Sequence, residues 1–371
     1  MEGVVAGRLP SPGFWSGKRV FLTGHTGFKG GWLALWLSAM GARVHGFALA
    51  PPTQPNLFEA ARIDGLLEHE IGDIREPAVL GASLRRDAPD IVIHMAAQPL
   101  VLRSYEQPVE TYATNVMGTV HLLEAARACG SALVTLIVTS DKCYENRDII
   151  WGYREHDRMG GHDPYSNSKG CAELVIAAYA GSFFAGLGRA LGSVRAGNVI
   201  GGGDWARDRL MTDLIGALLA GRAPILRSPA AVRPWQHVLE PLAGYLVAIE
   251  SLAAQPRAGA AWNFGPDPGG DATVGEVADR VCMLWGGGIR PLVEINPAGG
   301  REAALLTLDS AKARAELGWR PRWPLERALA ETVRWYRAWQ EGADMRQVTL
   351  DQIADYCGTA LARPNLTMEL A

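Results

Sequence analysis

The first half of the chain alternates short apolar runs with longer helix-like segments, and this order constrains the fold more than any other feature. The apolar runs include RVFLT, RVHGFAL, DIVIHMA and ALVTLIV, and the segments between them include GGWLALWLSAMGA and TNVMGTVHLLEAARACG. Strands that are apolar along their whole length are typical of a parallel sheet covered by helices on both faces. We therefore predict an α/β fold built on a Rossmann-type doubly wound parallel sheet.

The second half has a different texture. After about residue 197, loops rich in Gly, Pro and Trp appear, such as GNVIGGGDWARD and NFGPDPGGDATV. We predict a Rossmann domain over 15–197, a smaller mixed α/β region that binds the substrate over 198–350, and a C-terminal tail over 351–371. Because LEPLAGYLVAIESLA is typical of a helix, we expect a segment near 235–262 to return to the first domain.

Charge and cysteine content exclude several classes of protein. The 371 residues carry a formal net charge of -3, which disfavours nucleic acid and anionic membranes as partners, because both select a clustered basic face. The five cysteines are scattered, with no CxxC pair and no His/Cys cluster at metal-ligand spacing. No segment offers the roughly 20 apolar residues of a membrane span. We expect a cytoplasmic protein with free thiols and no metal.

A glycine-rich turn, TGHTGFKGG, joins the strand ending at Thr23 to a helix beginning near Gly30. Small residues there let the backbone approach a pyrophosphate at the helix N-terminus. Glycine patterns also arise by chance in ordinary turns, but this one lies in the first strand-to-helix turn of an alternating chain. We predict a dinucleotide site formed by Gly24, His25, Thr26, Gly27, Phe28, Lys29 and Gly30, with Asp73, Ile74, Ala96, Ala97 and Gln98 at later strand ends.

The ribose position of this site lacks its usual carboxylate. About 20 residues past the first glycine, a Rossmann site often has an Asp or Glu on the ribose 2′-hydroxyl, or an Arg near a 2′-phosphate. The stretch GFALAPPTQPN has neither an acidic nor a basic residue. We therefore expect the cofactor to be NAD rather than NADP, and we expect it to be retained less tightly than in a relative that has the carboxylate.

A second motif, HDPYSNSKGCAEL, carries candidate catalytic residues. Asp163 and Pro164 predict a helix start, which puts Tyr165 and Lys169 on one face of the first turns. The lysine charge and the helix dipole are expected to lower the pKa of the phenol from about 10 and make it a usable base. The same pattern also occurs by chance on solvated helices. A hydroxyl at a strand end upstream, Ser140 with Thr139 beside it, makes a catalytic site the better interpretation.

The stretch TSDKCYEN places Asp141 and Lys142 directly after a buried strand, where isolated charges are usually solvated turn residues. TGHTGFKG, TSDK and YSNSK in this order resemble the extended short-chain dehydrogenase/reductase family, specifically its nucleotide-sugar branch. The TSDK position resembles that of the 4,6-dehydratases, in which a Ser or Thr is followed by a pair of carboxylates. Here Lys142 stands in place of the second carboxylate, a glutamate, and this resembles the 4,6-dehydratases that act on CDP-glucose. The likeness extends over nearly the whole chain, including SVRAGNVIGGGDWARDRL and RPWQHVLEPL.

The resemblance implies an internal redox dehydration of CDP-glucose to CDP-4-keto-6-deoxyglucose, within deoxysugar and O-antigen biosynthesis. Tyr165, with Ser140 orienting the sugar hydroxyl, would remove the proton at carbon 4 while hydride passes to NAD. Asp141 as acid and Lys142 as base would then remove water across carbons 5 and 6. Hydride would finally return to carbon 6. Lys169 completes the catalytic set. Lys142 can be a base only if burial or nearby positive charge lowers its pKa, and otherwise it stabilises the enolate electrostatically.

The substrate's diphosphate requires cations, and the chain offers four candidate arginines from residue 195 onward. They are Arg195, Arg209, Arg233 and Arg301. By resemblance, Arg233 in RPWQHV corresponds to the arginine that holds the diphosphate, and Asn198 in GNVIGGGDW to a residue that contacts the substrate. A surface arginine and a turn-forming asparagine are the simpler alternatives.

Two helices, VETYATNVMGTVHLLEAARA and SKGCAELVIAAYAGSFFAG, carry wide apolar stripes. The resemblance implies that they pair in a four-helix contact of a homodimer, or within a homotetramer. Three other functions stay open: a nucleotide-sugar 4-epimerase, a 4,6-dehydratase acting on another nucleotide hexose, and a silent NAD-binding protein. The pair Asp141 and Lys142 argues against the epimerase, which needs no acid and base for elimination.

Overall fold

Seven parallel strands form the central sheet of the computed structural model, which describes residues 7–267, 270–294 and 306–358. The strands are β1 (Arg19–Thr23), β2 (Arg43–Ala48), β3 (Glu68–Ile71), β4 (Ile91–His94), β5 (Val134–Val138), β6 (Ala190–Ala196) and β7 (Ala258–Phe264). Their order across the sheet is β7-β6-β5-β4-β1-β2-β3, and every pairing is parallel. The predicted doubly wound sheet is confirmed. Its order reverses direction at β1, where such sheets bind ligands.

The helices cover both faces of this sheet and extend over the second half. They are α1 (Pro12–Trp15), α2 (Phe28–Ala39), α3 (Leu57–Ala60), α4 (Pro77–Asp87), α5 (Val101–Glu106), α6 (Pro108–Tyr112), α7 (Gly118–Cys129), α8 (Pro164–Tyr179), α9 (Leu210–Leu219), α10 (Leu239–Ala254), α11 (Val274–Trp285), α12 (Ala311–Leu317), α13 (Leu325–Gln340) and α14 (Met345–Cys357). A π turn, Ala113–Met117, joins α6 to α7, and a 3-10 turn, Asp141–Cys143, follows β5.

Alternate residues of each strand enter two separate cores. In β1, Val20 and Leu22 pack in the core beneath α2 and α10, whereas Phe21 packs in the core beneath α4, α7 and α8. Because side chains alternate across a strand, a sheet covered on both faces buries every residue, as all of β5 is buried here. The uniformly apolar runs of the sequence follow from this arrangement.

The second region is built from short strand pairs and helices. Val199–Ile200 pairs with Gln236–His237, Val232–Arg233 with Ala272–Thr273, and Ile225–Leu226 with Leu292–Val293. From the segment near 235–262, α10 packs on the sheet and β7 pairs with β6 from Ala258 to Phe264. The last helix of the described residues, α14, continues across residue 351, the predicted start of the tail, and its Tyr356 hydroxyl donates to Glu240 Oε2 at 2.7 Å.

Candidate active site

The glycine-rich turn between β1 and α2 has two positions where a larger residue would not fit. Gly24 has a φ of +80°, and a Cβ there would lie 2.7 Å from the amide nitrogen of Ala96 at the end of β4. A Cβ on Gly30 would lie 2.1 Å from the carbonyl oxygen of Gly24. No side chain caps the N-terminus of α2, so its first N–H groups face the end of the sheet. This cradle fits the pyrophosphate of a dinucleotide.

The other residues predicted to contact a cofactor surround this turn in different ways. Thr26 donates its hydroxyl to the carbonyl of Leu49, and the Asp73 carboxylate forms a forked pair with Arg75. The Gln98 side chain turns toward α6, where its amide donates to Thr111 Oγ1 at 2.9 Å. Phe28, at the start of α2, lies close to Gly201, and Ile74 packs against Gly118 of α7. Their contact with a cofactor stays a prediction, as does that of Gly27, Ala96 and Ala97.

Two basic residues of the turn are held inside the protein. His25 Nε2 lies 2.8 Å from His69 Nδ1, and burial lowers the pKa of His25 to about 3, so its ring is neutral. The Lys29 amine donates to the Tyr245 hydroxyl at 3.0 Å. Burial, then the positive charges of Arg209 and Lys169, lower the pKa of Lys29 to about 7. Lys29 therefore lies within the electrostatic field of the catalytic residues and titrates near neutrality.

The catalytic turn, which we define as residues 139–144, leads out of β5 directly into the site. Ser140 caps the 3-10 turn by accepting from the Lys142 amide, and its hydroxyl donates to Asp141 Oδ1 at 2.9 Å. The Asp141 side chain is only 3% exposed, and its Oδ2 has no hydrogen-bond partner among the described residues. Lys142 Nζ lies 3.9 Å from Asp141 Oδ1. A buried carboxyl group and a partly exposed lysine amine thus lie side by side at the end of the sheet.

Tyr165 and Lys169 lie on α8, which begins as the sequence predicts. Asp163 caps the helix by accepting from the Ser166 amide, and Pro164 occupies its first position. The Tyr165 amide donates to Ser104 Oγ of α5 at 3.1 Å, which ties the start of α8 to that helix. Both Tyr165 and Lys169 are buried. The Ser140 hydroxyl is hydrogen-bonded to the phenol of Tyr165. The neighbouring Thr139 hydroxyl instead donates to Glu173.

The expected lowering of the Tyr165 pKa is wrong for the protein alone. Burial raises the pKa of Tyr165 to about 12, and the negative charges of Asp141 and Asp163 act in the same direction. A hydrogen bond to Ser140 and the positive charge of Arg209 lower the pKa but do not outweigh burial. Burial also lowers the pKa of Lys169 to about 8. Desolvation disfavours the charged form of both groups, and it outweighs the lysine and helix-dipole effects that the sequence suggested.

The arginines predicted to bind diphosphate have different surroundings. Arg195 is buried against Glu173 at 2.7 Å, so the sequence interpretation of it as a substrate cation is wrong. Arg209 precedes α9, pairs with Asp204 at 2.7 Å and influences Tyr165. Arg233 is buried and donates to the carbonyl of Val232 at 2.8 Å, and the carbonyl of Asn198 accepts from Gln236. Arg301 lies outside the described residues.

Sequence reasoning missed the carboxylate that lies beneath the catalytic turn. Glu173 lies four residues after Lys169 on the same face of α8, and its two oxygens accept hydrogen bonds from Thr139, Ser193 and Arg195. The motif HDPYSNSKGCAEL contains this glutamate at helical spacing from Tyr165 and Lys169, so the spacing could have identified it.

The chain is similar to known proteins at the level of family, single sequence and solved structure. Residues 20–265 match the model of the NAD dependent epimerase/dehydratase family. A CDP-glucose 4,6-dehydratase of Salmonella typhimurium is 52% identical, over 92% of this chain and 97% of the relative. A dTDP-glucose 4,6-dehydratase of Xanthomonas campestris pv. campestris is 28% identical, over 86% of this chain and 94% of the relative.

Two solved structures have the same fold. A double mutant of dTDP-glucose 4,6-dehydratase from Streptomyces venezuelae, with NAD and DAU bound, superposes with a TM-score of 0.74 at 25% identity, covering 88% of this chain and 99% of that one. A UDP-glucose-4-epimerase from Stenotrophomonas maltophila, with bound NAD, superposes with a TM-score of 0.76 at 22% identity, covering 88% and 100%.

Proposed function

We propose that this chain, which belongs to the NAD dependent epimerase/dehydratase family, removes water from CDP-glucose through an internal oxidation and reduction. The product is CDP-4-keto-6-deoxyglucose: carbon 4 becomes a ketone, the carbon 6 hydroxyl leaves as water, and carbon 6 becomes a methyl group. NAD, when bound, accepts the hydrogen of carbon 4 as hydride and returns it to carbon 6. The glycine cradle from Gly24 to Gly30 would hold it.

The observation that carries this proposal is the buried Asp141 carboxylate beside Lys142, at the same strand end as Ser140 and close to Tyr165. Elimination requires one group that takes the carbon 5 proton and a second that protonates the leaving hydroxyl. A 4-epimerase requires neither. The cytidine part of the substrate depends on the 52% identity to the Salmonella enzyme.

Each catalytic residue has one role in the proposal. Tyr165, as a phenolate that Lys169 stabilises, takes the proton of the carbon 4 hydroxyl, which Ser140 orients, and becomes a neutral phenol. Positive charge beside the phenol lowers its pKa. Arg209 already acts in this direction, and Lys169 and an oxidised nicotinamide would add to it. The ketone at carbon 4 then acidifies the carbon 5 proton. Lys142 in its neutral amine form takes that proton, and Asp141 in its protonated form gives one to the carbon 6 oxygen, which leaves as water.

We assign Arg209, Arg233, Arg301 and Asn198 to the substrate side. Arginine forks match phosphate oxygens, and a buried arginine such as Arg233 is a stronger candidate for this role than a surface one. Arg209 lies near enough to Tyr165 to influence its pKa, which puts a positive charge of the second region beside the catalytic residues.

The test of this function is an assay with four nucleotide sugars in parallel. The protein is incubated with NAD and CDP-, dTDP-, UDP- or GDP-glucose, and the products are analysed by mass spectrometry. We expect CDP-glucose alone to lose one water efficiently. An unchanged mass with inverted configuration at carbon 4 would instead show an epimerase, and water loss from another nucleotide sugar would transfer the specificity to that base.

Replacing Leu49 by aspartate is expected to tighten NAD binding about tenfold, because a hydrogen bond to a charged group contributes about 1.5 to 3 kcal/mol. Leu49 directly follows β2, where Rossmann sites often carry the carboxylate that binds the ribose 2′-hydroxyl, and its side chain is exposed. The dissociation constant is measured by calorimetry. Leu49→Asn is the neutral control and should gain less. An unchanged constant for Leu49→Asp would contradict the ribose argument.

We also propose a homodimer that forms through α6, α7 and α8. Large apolar side chains are exposed along α5, α6, α8 and the turns that follow α6 and α8: Leu102, Tyr105, Val109, Tyr112, Met117, Leu174, Phe183 and Leu187. Val109, at 82% exposure, is typical of an interface residue in an isolated protomer. Further pairing of dimers would give the homotetramer that the sequence resemblance also allows.

The double substitution Val109→Asp and Leu174→Glu is expected to convert the dimer to monomer, because it buries two carboxylates in an apolar contact. Mass is measured by size exclusion with light scattering. Ile71→Glu is the matched control, since Ile71 is an exposed apolar residue on the edge strand β3. A dimeric double variant, or a monomeric parent protein, would rule out this interface.

We place the reaction in the cytoplasm and its product in deoxysugar and O-antigen biosynthesis. All five cysteines are free thiols, which is typical of a reducing compartment. One helical stretch, Pro164–Leu187, is long and apolar enough to cross a membrane by length and composition. We assign it to the soluble core and the dimer contact, because its Tyr165, Lys169 and Glu173 are buried in the active site.

A further inference from the structure

A buried ion pair lies directly beneath the catalytic turn. Arg195 of β6 donates to Glu173 of α8 through Nε at 2.9 Å and through Nη2 at 2.7 Å, and both side chains are 4% exposed. Removing two charges from water is costly, so a buried pair of this kind is weak evidence for stability. Because stability does not explain the ion pair, the hydrogen bonds that the pair makes with other residues indicate its role.

The pair contacts the catalytic turn at both ends. At the beginning of the turn, the Thr139 hydroxyl donates to Glu173 Oε1 at 2.5 Å. At its end, Arg195 Nη1 donates to the Tyr144 hydroxyl at 2.6 Å, and this hydroxyl donates onward to Asn263 Oδ1 at 2.8 Å. The residues between these anchors are Ser140, Asp141, Lys142 and Cys143.

The turn has few strong hydrogen bonds of its own. The Cys143 amide donates to the Ser140 carbonyl at 3.2 Å, and the Tyr144 amide donates to the Asp141 carbonyl at 3.4 Å. Bonds of this length are weak, and a 3-10 turn has poorer hydrogen-bond geometry than an α-helix. Two backbone bonds also tie the turn to its surroundings, from the Thr139 amide to the Val194 carbonyl at 3.0 Å and from the Gly160 amide to the Cys143 carbonyl at 2.8 Å. The two side-chain anchors add to these bonds and connect the turn to the buried ion pair.

We propose that Glu173 and Arg195 are positioning residues that hold the catalytic turn from both ends and thereby set Asp141 and Lys142 against Tyr165. This inference rests on the proposed function, since it gives the pair a part in the elimination of water. A fully bonded buried network is rigid, and a misplacement of about 1 Å in an active site can cost about a hundredfold in rate.

A second contribution of Glu173 acts on Lys169, one helical turn earlier in α8. Burial lowers the pKa of Lys169, and Cys143 and then the negative charge of Glu173 oppose this lowering. The carboxylate thus favours the charged form of the lysine that supports Tyr165. Both halves of the reaction, oxidation at carbon 4 and elimination across carbons 5 and 6, depend on groups that Glu173 holds or stabilises.

The experiment removes one anchor at a time and leaves the ion pair in place. Thr139→Val deletes the hydroxyl at the beginning of the turn, and Tyr144→Phe deletes the one at its end. Glu173 Oε1 keeps Arg195 Nε, and Arg195 Nη1 keeps the carbonyl of Glu155, so neither change leaves a buried charge unpaired. We expect kcat on CDP-glucose to fall about tenfold in each variant and about a hundredfold in the double variant, with KM unchanged.

The matched control is Ser193→Ala. Ser193 of β6 donates to Glu173 Oε2 at 2.8 Å, so its loss weakens the same carboxylate without touching the turn. We expect its kcat to stay within twofold of the parent value and its melting temperature to fall as much as that of Thr139→Val. If all three variants lose activity in proportion to their melting temperature, or if Thr139→Val and Tyr144→Phe keep the parent kcat, the positioning role is overturned.

A pH profile and crystal structures separate this inference from the proposed function. In the double variant Glu173→Gln, Arg195→Met, which removes both charges, the high-pH limb of kcat should move to lower pH, because Lys169 loses its stabilising anion. Crystal structures of Thr139→Val and Tyr144→Phe should show Asp141 and Lys142 displaced while Tyr165 stays. An undisplaced turn overturns the inference whatever the substrate, whereas failure of the parent protein to dehydrate any nucleotide sugar refutes only the proposed function.

Discussion

Replacing Tyr165 by phenylalanine is expected to lower kcat by about a thousandfold with little change in KM, since a positioned general base contributes about 10² to 10⁴ in rate. Tyr165 is buried and contacts Ser140, and no other phenol among the described residues has this contact. Without the phenol, the carbon 4 hydroxyl keeps its proton and the reaction stops before the first oxidation. Turnover is measured by product mass, and reduced coenzyme by its absorbance under single-turnover conditions.

The control for this change is Tyr179→Phe, because Tyr179 lies at the other end of the same helix, away from the site. It should keep the parent kcat. The Tyr165 variant should show neither product nor reduced coenzyme, since the block precedes both. A Tyr165→Phe variant that retains a tenth of the parent rate would mean that another group takes the proton.

Much of the fold was predictable from local sequence patterns. The apolar runs predict strands buried on both faces, and the glycines at 24 and 30 predict a turn that no larger residue could form, as their close contacts show. Asp163 and Pro164 predict the start of α8. Each of these signals is contained in a few consecutive residues, where backbone geometry and capping depend on near neighbours.

The electrostatics of the site could not be predicted in this way, because burial and partners arise from residues distant in sequence. Arg195 was expected to face the substrate, but Glu173, 22 residues earlier, pairs with it inside the protein. The pKa of Tyr165 was expected to fall, but enclosure of the phenol and the carboxylate of Asp141 raise it. Lys29 bonds to Tyr245, which lies 216 residues later in the chain. Spacing along one helix says nothing about any of these contacts.

The two members of the acid and base pair are expected to fail at different points when replaced singly. Asp141→Asn should lower the rate of water loss by about a thousandfold, because the amide cannot protonate the carbon 6 oxygen. Its buried Oδ2 and its bond from Ser140 show that the side chain occupies a confined site, and asparagine fits the same space. Lys142→Met should lower the rate similarly, because no group takes the carbon 5 proton.

Solvent deuterium exchange at carbon 5 distinguishes these two roles. In Asp141→Asn, carbon 4 is still oxidised and Lys142 still removes the carbon 5 proton, so deuterium should enter while water loss stalls and reduced coenzyme accumulates. In Lys142→Met, reduced coenzyme should accumulate without exchange. Exchange that persists in Lys142→Met would remove this lysine from the base role and leave it as a cation that stabilises the enolate from its position 3.9 Å from Asp141. In that case the proton at carbon 5 would have to be taken by a different group.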